Sequence, residues 1–173
     1  MGGNIVKKLM CLMCLVLLLV GCSAEKTYDT MGTLSPEPEK TAMMKIKLEV
    51  PEDAASHVMG TEQEGRIYFG TDYTLCLQVM DAGDLNHTLQ ACTGFERENL
   101  DLLETKTAQY KRYEAVWTGV GEGGDHLGRI AVLDDGNYHY VLTAMADAQD
   151  AGKLSQTWQT VFQSFGLEPN NDA

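Results

Sequence analysis

Between positions 44 and 50, Met44, Ile46, Leu48 and Val50 alternate with Lys45, Lys47 and Glu49. This is the period-two pattern of a strand with one buried face. Pro51 ends it, because proline has no N–H for a ladder. Residues 65–70 and 74–80 read as two further strands joined by a turn at 70–73. The second sets Leu75, Leu77 and Val79 on one face. The period then changes. Leu85, Leu89, Cys92 and Phe95 recur at helical spacing through 84–98, with Asp84 placed as N-cap and Gly94 weakening the end. Strands return at 102–108, 110–119, 127–134 and 138–146. Asp134-Asp135-Gly136-Asn137 joins the last two as a hairpin turn. Leu154, Trp158, Val161, Phe162 and Phe165 form one apolar stripe over 151–165, the clearest helix, and Gly166 sits where it should stop.

The order is three strands, a helix, four strands and a helix. Short connections make the sheet mainly antiparallel, since parallel neighbours need long crossovers. The expected architecture is an α+β domain, with a single sheet of about six or seven strands packed by two or three helices.

The chain starts differently. Lys7 and Lys8 precede an apolar run over 9–20 that is short for a membrane span and fits the core of a secretory signal. The run closes on Leu19-Val20-Gly21-Cys22, which reads as a lipobox: cleavage before Cys22 leaves that cysteine to carry lipid. Residues 1–21 are then a removed signal peptide, and Cys11 and Cys14 are discarded with it. Gly2 does not open a myristoylation motif, because Val6 stands where Ser or Thr is required. Two acyl chains on Cys22 give stable anchoring. Residues 22–43, with Pro36 and Pro38, have too few large apolar residues to order themselves and read as a lipidated tether. The α+β domain spans 44–167, and the polar residues 168–173 read as a disordered tail. The chain is expected on the extracytoplasmic face of a cell membrane.

Charge narrows the partners. Loss of residues 1–21 leaves 11 Lys and Arg against 25 Asp and Glu, a balance of −14. Nucleic acid is excluded as a partner on this ground, since it needs positive charge. The acidic surface suits solubility outside the cell.

Two C-terminal segments resemble the end of PsbP-like and DcrB-like domains, which are common in bacterial lipoproteins. They are the hairpin Gly128-Arg129-Ile130-Ala131-Val132-Leu133 into Tyr138-His139-Tyr140-Val141-Leu142-Thr143, and the helix ending Trp158-Gln159-Thr160-Val161-Phe162-Gln163-Ser164-Phe165. The first strand departs from that family: Leu48-Glu49-Val50-Pro51-Glu52 stands where the family has an aromatic before a Pro-Gly-Trp-like turn. The resemblance implies a PsbP-like fold and a non-enzymatic binding or accessory role. It implies no catalytic residues.

Candidate chemistry is sparse. Residues 119–124 contain G-x-G-x-x-G after a strand, but a strand follows instead of the helix that a dinucleotide site requires. His57, His87, His126 and His139 form no H-x-x-x-H pair. Glu122, Asp125 and His126 are the one local grouping a metal would use, on a glycine-rich tip that would hold it loosely. Asp147, Asp150 and Gly152 start like a calcium loop, but Trp158 occupies the twelfth position, where a glutamate belongs; Asp150 as a helix N-cap accounts for them. Cys76 and Cys92 are the candidates for a disulfide. Cys76 points away from the Leu75/Leu77/Val79 face, so a helix covering that face keeps the two apart, and buried free thiols are the default. Tyr110, Tyr113, Trp117, Tyr138 and Tyr140 on neighbouring strands line a groove or pair across strands. No cofactor is implied. The reading is a membrane-anchored lipoprotein with a non-catalytic domain for an envelope protein or small ligand; the alternatives are an extracytoplasmic hydrolase and a metal-handling lipoprotein.

Overall fold

The computed structural model describes residues 41–60, 65–121 and 124–169. The signal segment, the lipobox with Cys22, nearly all of the tether and residues 170–173 lie outside them, and so does Glu122.

Among the described residues, nine strands and two α-helices make an α+β domain. In chain order they are β1 (Lys45–Lys47), β2 (Ala55–Val58), β3 (Gly65–Phe69), β4 (Tyr73–Asp81), α1 (Leu85–Thr93), β5 (Leu103–Lys106), β6 (Lys111–Gly121), β7 (Gly124–Asp134), β8 (Tyr138–Asp147), α2 (Ala151–Ser164) and β9 (Gly166–Glu168). Seven strands form one sheet in the order β2-β3-β4-β8-β7-β6-β5, and β1 pairs with β9 separately. Every pairing is antiparallel.

The sheet lies between the two helices because its strands alternate. Leu75, Leu133, Leu142 and Ala144 face one side, where α2 adds Leu154, Trp158, Val161 and Phe162. Ile130, Val132, Val141 and Tyr113 face the other, where α1 adds Leu89. Arg112 fastens α2 to β6. Its guanidinium donates to the carbonyls of Phe162 and Phe165, 2.7 Å each, and to Glu114 Oε1 at 2.6 Å. These carbonyls at the helix end have no intrahelical partner of their own. Arg129 lies 4.3 Å over the Phe162 ring.

Several sequence expectations take a different form. The first helix ends at Thr93, because Gly94 adopts the left-handed conformation (φ 79°) and its N–H returns to Gln90. Asp84 does cap it, accepting from Asn86 N at 3.0 Å. Asp150 precedes α2, but its carboxylate takes no helix N–H and instead accepts from Lys153 at 2.6 Å. Gly166 opens β9 after α2 has ended at Ser164. β2 has no counterpart in the sequence reading: all four residues are exposed, so no alternation marks it.

Candidate functional site

The segment at 44–50 forms a strap across one end of the α2 face. Burial follows the alternation beyond the ladder: Met44, Ile46, Leu48 and Val50 are half-buried, while Lys45, Lys47 and Glu49 are exposed. β9 holds the strap through Lys45↔Glu168, Ile46↔Leu167 and Lys47↔Gly166. Two further hydrogen bonds fix its ends, Met44 N to Tyr140 Oη at 2.8 Å and Glu49 N to Ser164 Oγ at 2.9 Å. The Lys47–Glu168 ion pair at 3.7 Å is exposed and adds little.

Between strap and sheet lies a cavity of about 420 Å³. The strap contributes Met44, Ile46, Leu48 and Val50; the sheet contributes Tyr68, Leu77, Val79 and Tyr140, with Arg66 as the one charged residue among the described lining. Gly65 lets β3 approach β4 here, since a Cβ would stand 2.8 Å from the Leu77 carbonyl oxygen. Tyr140 is fixed at both lone pair and proton: it accepts from Met44 N and donates to Asp135 Oδ2 at 3.0 Å. Burial, foremost, raises its pKa well above the ordinary phenol value. Tyr140 therefore stays protonated at physiological pH.

A second, shallower depression of about 540 Å³ lies at the β4–β8 end, where Phe69, Asp72, Met145, Asp147 and Asp150 surround His126. His126 Nδ1 sits 3.1 Å from Asp147 Oδ1. Nearby, Asp53 accepts from Tyr73 Oη at 2.8 Å, the main cause of its lowered pKa.

The sequence's metal grouping is not assembled. Asp125 and His126 are consecutive in β7, so their side chains leave opposite faces of the sheet, and Glu122 lies outside the described residues. His126 turns to Asp147 instead. Among the described residues no group of three or more His, Cys, Asp and Glu is placed to hold a metal ion. In the glycine motif, Gly119, Gly121 and Gly124 lie in the β6–β7 ladder, opposite His126, Gly124 and Gly121 respectively, and β7 follows where a helix would be needed.

Cys76 and Cys92 are free. The premise for their separation is reversed, since α1 covers the Cys76 face of β4 and not the Leu75/Leu77/Val79 face. Cys92 Sγ lies 3.8 Å from Gln78 Oε1, and Cys76 Sγ 3.8 Å from Met59 Sδ. Burial pushes both thiols up, Cys92 to about 11 with the Cys76 charge adding to it. Neither is a ready nucleophile, because the thiolate is the reactive form. The five aromatics do not share a groove. Tyr113 and Trp117 belong to the α1 face. Tyr110, Tyr138 and Tyr140 belong to the α2 face, the last two edge to face at 6.2 Å.

Sequence reasoning missed the cavity, although the alternation of 44–50 was its visible half. Of the histidines, expected to be surface or satisfied residues, His139 is buried and satisfied. It is 1% exposed, and its Nδ1 meets Thr88 Oγ1 at 2.8 Å. Burial lowers its pKa, against the pull of Asp134 and Asp135. The ring is neutral at pH 7, so the 3.9 Å approach to Asp134 is no ion pair there.

No protein-family description matches the chain, and no curated protein matches it either. Solved structures do. LpqN, involved in cell envelope biogenesis of Mycobacterium tuberculosis, superposes with a TM-score of 0.51 at 13% identity, over 78% of this chain and 88% of that one. Cyanobacterial PsbP (CyanoP) from Synechocystis sp. PCC 6803 gives 0.50 at 10% identity, over 80% and 99%. At such identities the likeness is one of fold, and the domain has the PsbP-like α+β fold.

Proposed function

We propose that this protein is a membrane-anchored extracytoplasmic lipoprotein, held by lipid on Cys22, whose domain binds a small apolar ligand without catalysis. The cavity under the strap carries the reading. At about 420 Å³ it falls within the range of roughly 300–1,000 Å³ typical of small-molecule sites, which are mostly apolar with few polar groups. Met44 supplies a flexible, adaptable wall. The unreactive thiols and the protonated Tyr140 support binding over chemistry, and the envelope role of LpqN agrees with an extracytoplasmic setting.

Titration of the full chain with a dansylated medium-chain fatty acid tests the site. Saturable one-to-one binding is expected, and Val79→Trp, which narrows the cavity, should weaken it while leaving the thermal midpoint in place. Unchanged affinity in a folded Val79→Trp chain sinks the reading. Labelled palmitate should enter the wild-type chain in bacteria and not the Cys22→Ser chain.

A further inference from the structure

Strand β6 is paired along its whole length on one side only. β7 matches it residue for residue from Lys111 to Gly121. β5 meets only Lys111, Arg112, Tyr113 and Glu114. Among the described residues no strand lies outside 115–121. An open strand edge presents N–H and C=O groups to any further strand, and proteins commonly guard such edges with lysine, proline or a covering element. Residues 115–121 read Ala-Val-Trp-Thr-Gly-Val-Gly, with no charge and no proline. Val116 is 55% exposed and Val120 89%. By contrast β5, which ends the sheet beside them, carries Glu104 and Lys106.

We propose that this edge is a homodimer seam, in which residues 115–121 of two copies pair antiparallel about a two-fold axis at Thr118. The stretch is its own complement. Its overlap with itself is greatest at that centre, where Ala115 meets the partner's Gly121 at the limit set by β5. Val116 then opposes the partner's Val120 on the α2 face, and Thr118 opposes the partner's Thr118; β-branched and Thr–Thr pairs of this kind stabilise antiparallel strands. Trp117 opposes the partner's Gly119. The indole already lies over Gly128, where a Cβ would stand 2.2 Å from the ring, and the partner's glycine brings no side chain against it.

Charge selects the occupant. The chain is strongly acidic, and like charges set directly opposite across strands are destabilising. Residues 115–121 have none; one step beyond, the same register turns Glu114 toward the partner's Glu122, and Glu114 is already paired with Arg112 at 2.6 Å and Arg129 at 3.6 Å. The contact is isologous and closes on itself. It consumes the open edge of both copies and joins two seven-stranded sheets into one, without leading to a fibre. A seam this short belongs with weak, small interfaces, so the dimer is expected to form where the chain is concentrated, as on a membrane.

The test uses the full chain in bacterial cells. Thr118→Cys places two thiols across the proposed axis, and an azo oxidant such as diamide takes up the two electrons and two protons as the disulfide forms. The comparison is Thr105→Cys, on exposed β5, with the wild-type chain reporting any bond from its own cysteines. A dimer at twice the monomer mass is expected from Thr118→Cys at about tenfold the Thr105→Cys yield, and adding Val116→Lys and Val120→Lys should remove that excess. Equal yields from the two positions overturn the proposal, as does no dimer, or a Thr118→Cys bond to a protein of another mass. Lysines that leave the excess intact in a folded chain overturn it too.

Discussion

The two faces of the sheet are covered unequally. On one, α2 runs for fourteen residues and buries Leu154, Trp158, Val161 and Phe162. The Arg112–Glu114 pair clamps its end, with side chains only 16% and 21% exposed. On the other, α1 has nine residues and buries only Thr88 and Leu89. It leaves a row across the strands, from Phe69 through Thr74, Met145 and Gly128 to Trp117, where Phe69 and Met145 are 47% and 45% exposed. Helix length therefore decides how much of each face is core. The long helix also needs a supplement: beside it the strap roofs over what would otherwise be bare sheet, and the cavity is the space that the two do not fill.

Five changes would sharpen or break this contrast. Phe162→Ala should cost about 3–5 kcal/mol, and Leu89→Ala about 2–3, since a short helix settles into a cavity more easily. Equal losses in denaturant titrations would mean that the faces are equally packed. Arg112→Met strips two helix-end carbonyls of a charged donor and should cost about 2 kcal/mol; because the pair is sheltered, the loss should change little between low and high salt. On the α1 face, His139 makes stability depend on pH. Its folded pKa is depressed, so its contribution is complete above the unfolded value of about 6.5 and is lost as pH falls from there toward the folded value. Thermal midpoints should drop across that window, and less so in His139→Gln. Met145→Lys, in the bare row, should stay within about 0.5 kcal/mol of the parent. A large loss there would show that the row is covered after all.

Strong periodicity made most of the fold legible. The stripe of α2, the alternation of β4 and the cap at Asp84 are local patterns, and each appears where its spacing places it. β2 and β9 were hidden because four exposed residues and three residues carry no period. Glu168, at the head of the expected tail, is the last residue of β9. The site was less legible for a different reason. Alternation said which side chains of 44–50 turn inward, but not that Leu167 would lie opposite Ile46. Nor could spacing say which face α1 would cover, and on that the surroundings of Cys76 depend.

The pairing of Lys45 with Glu168 also orders events in time. A ribosome releases the chain from its N-terminus, so β1 must wait for the residues that follow α2 before it acquires its partner. Until then the sheet and both helices have all their residues, while the cavity has no roof. Trimming after Ser164 would return the molecule to that roofless stage. The roof over the cavity thus waits on the three residues of β9 that follow α2.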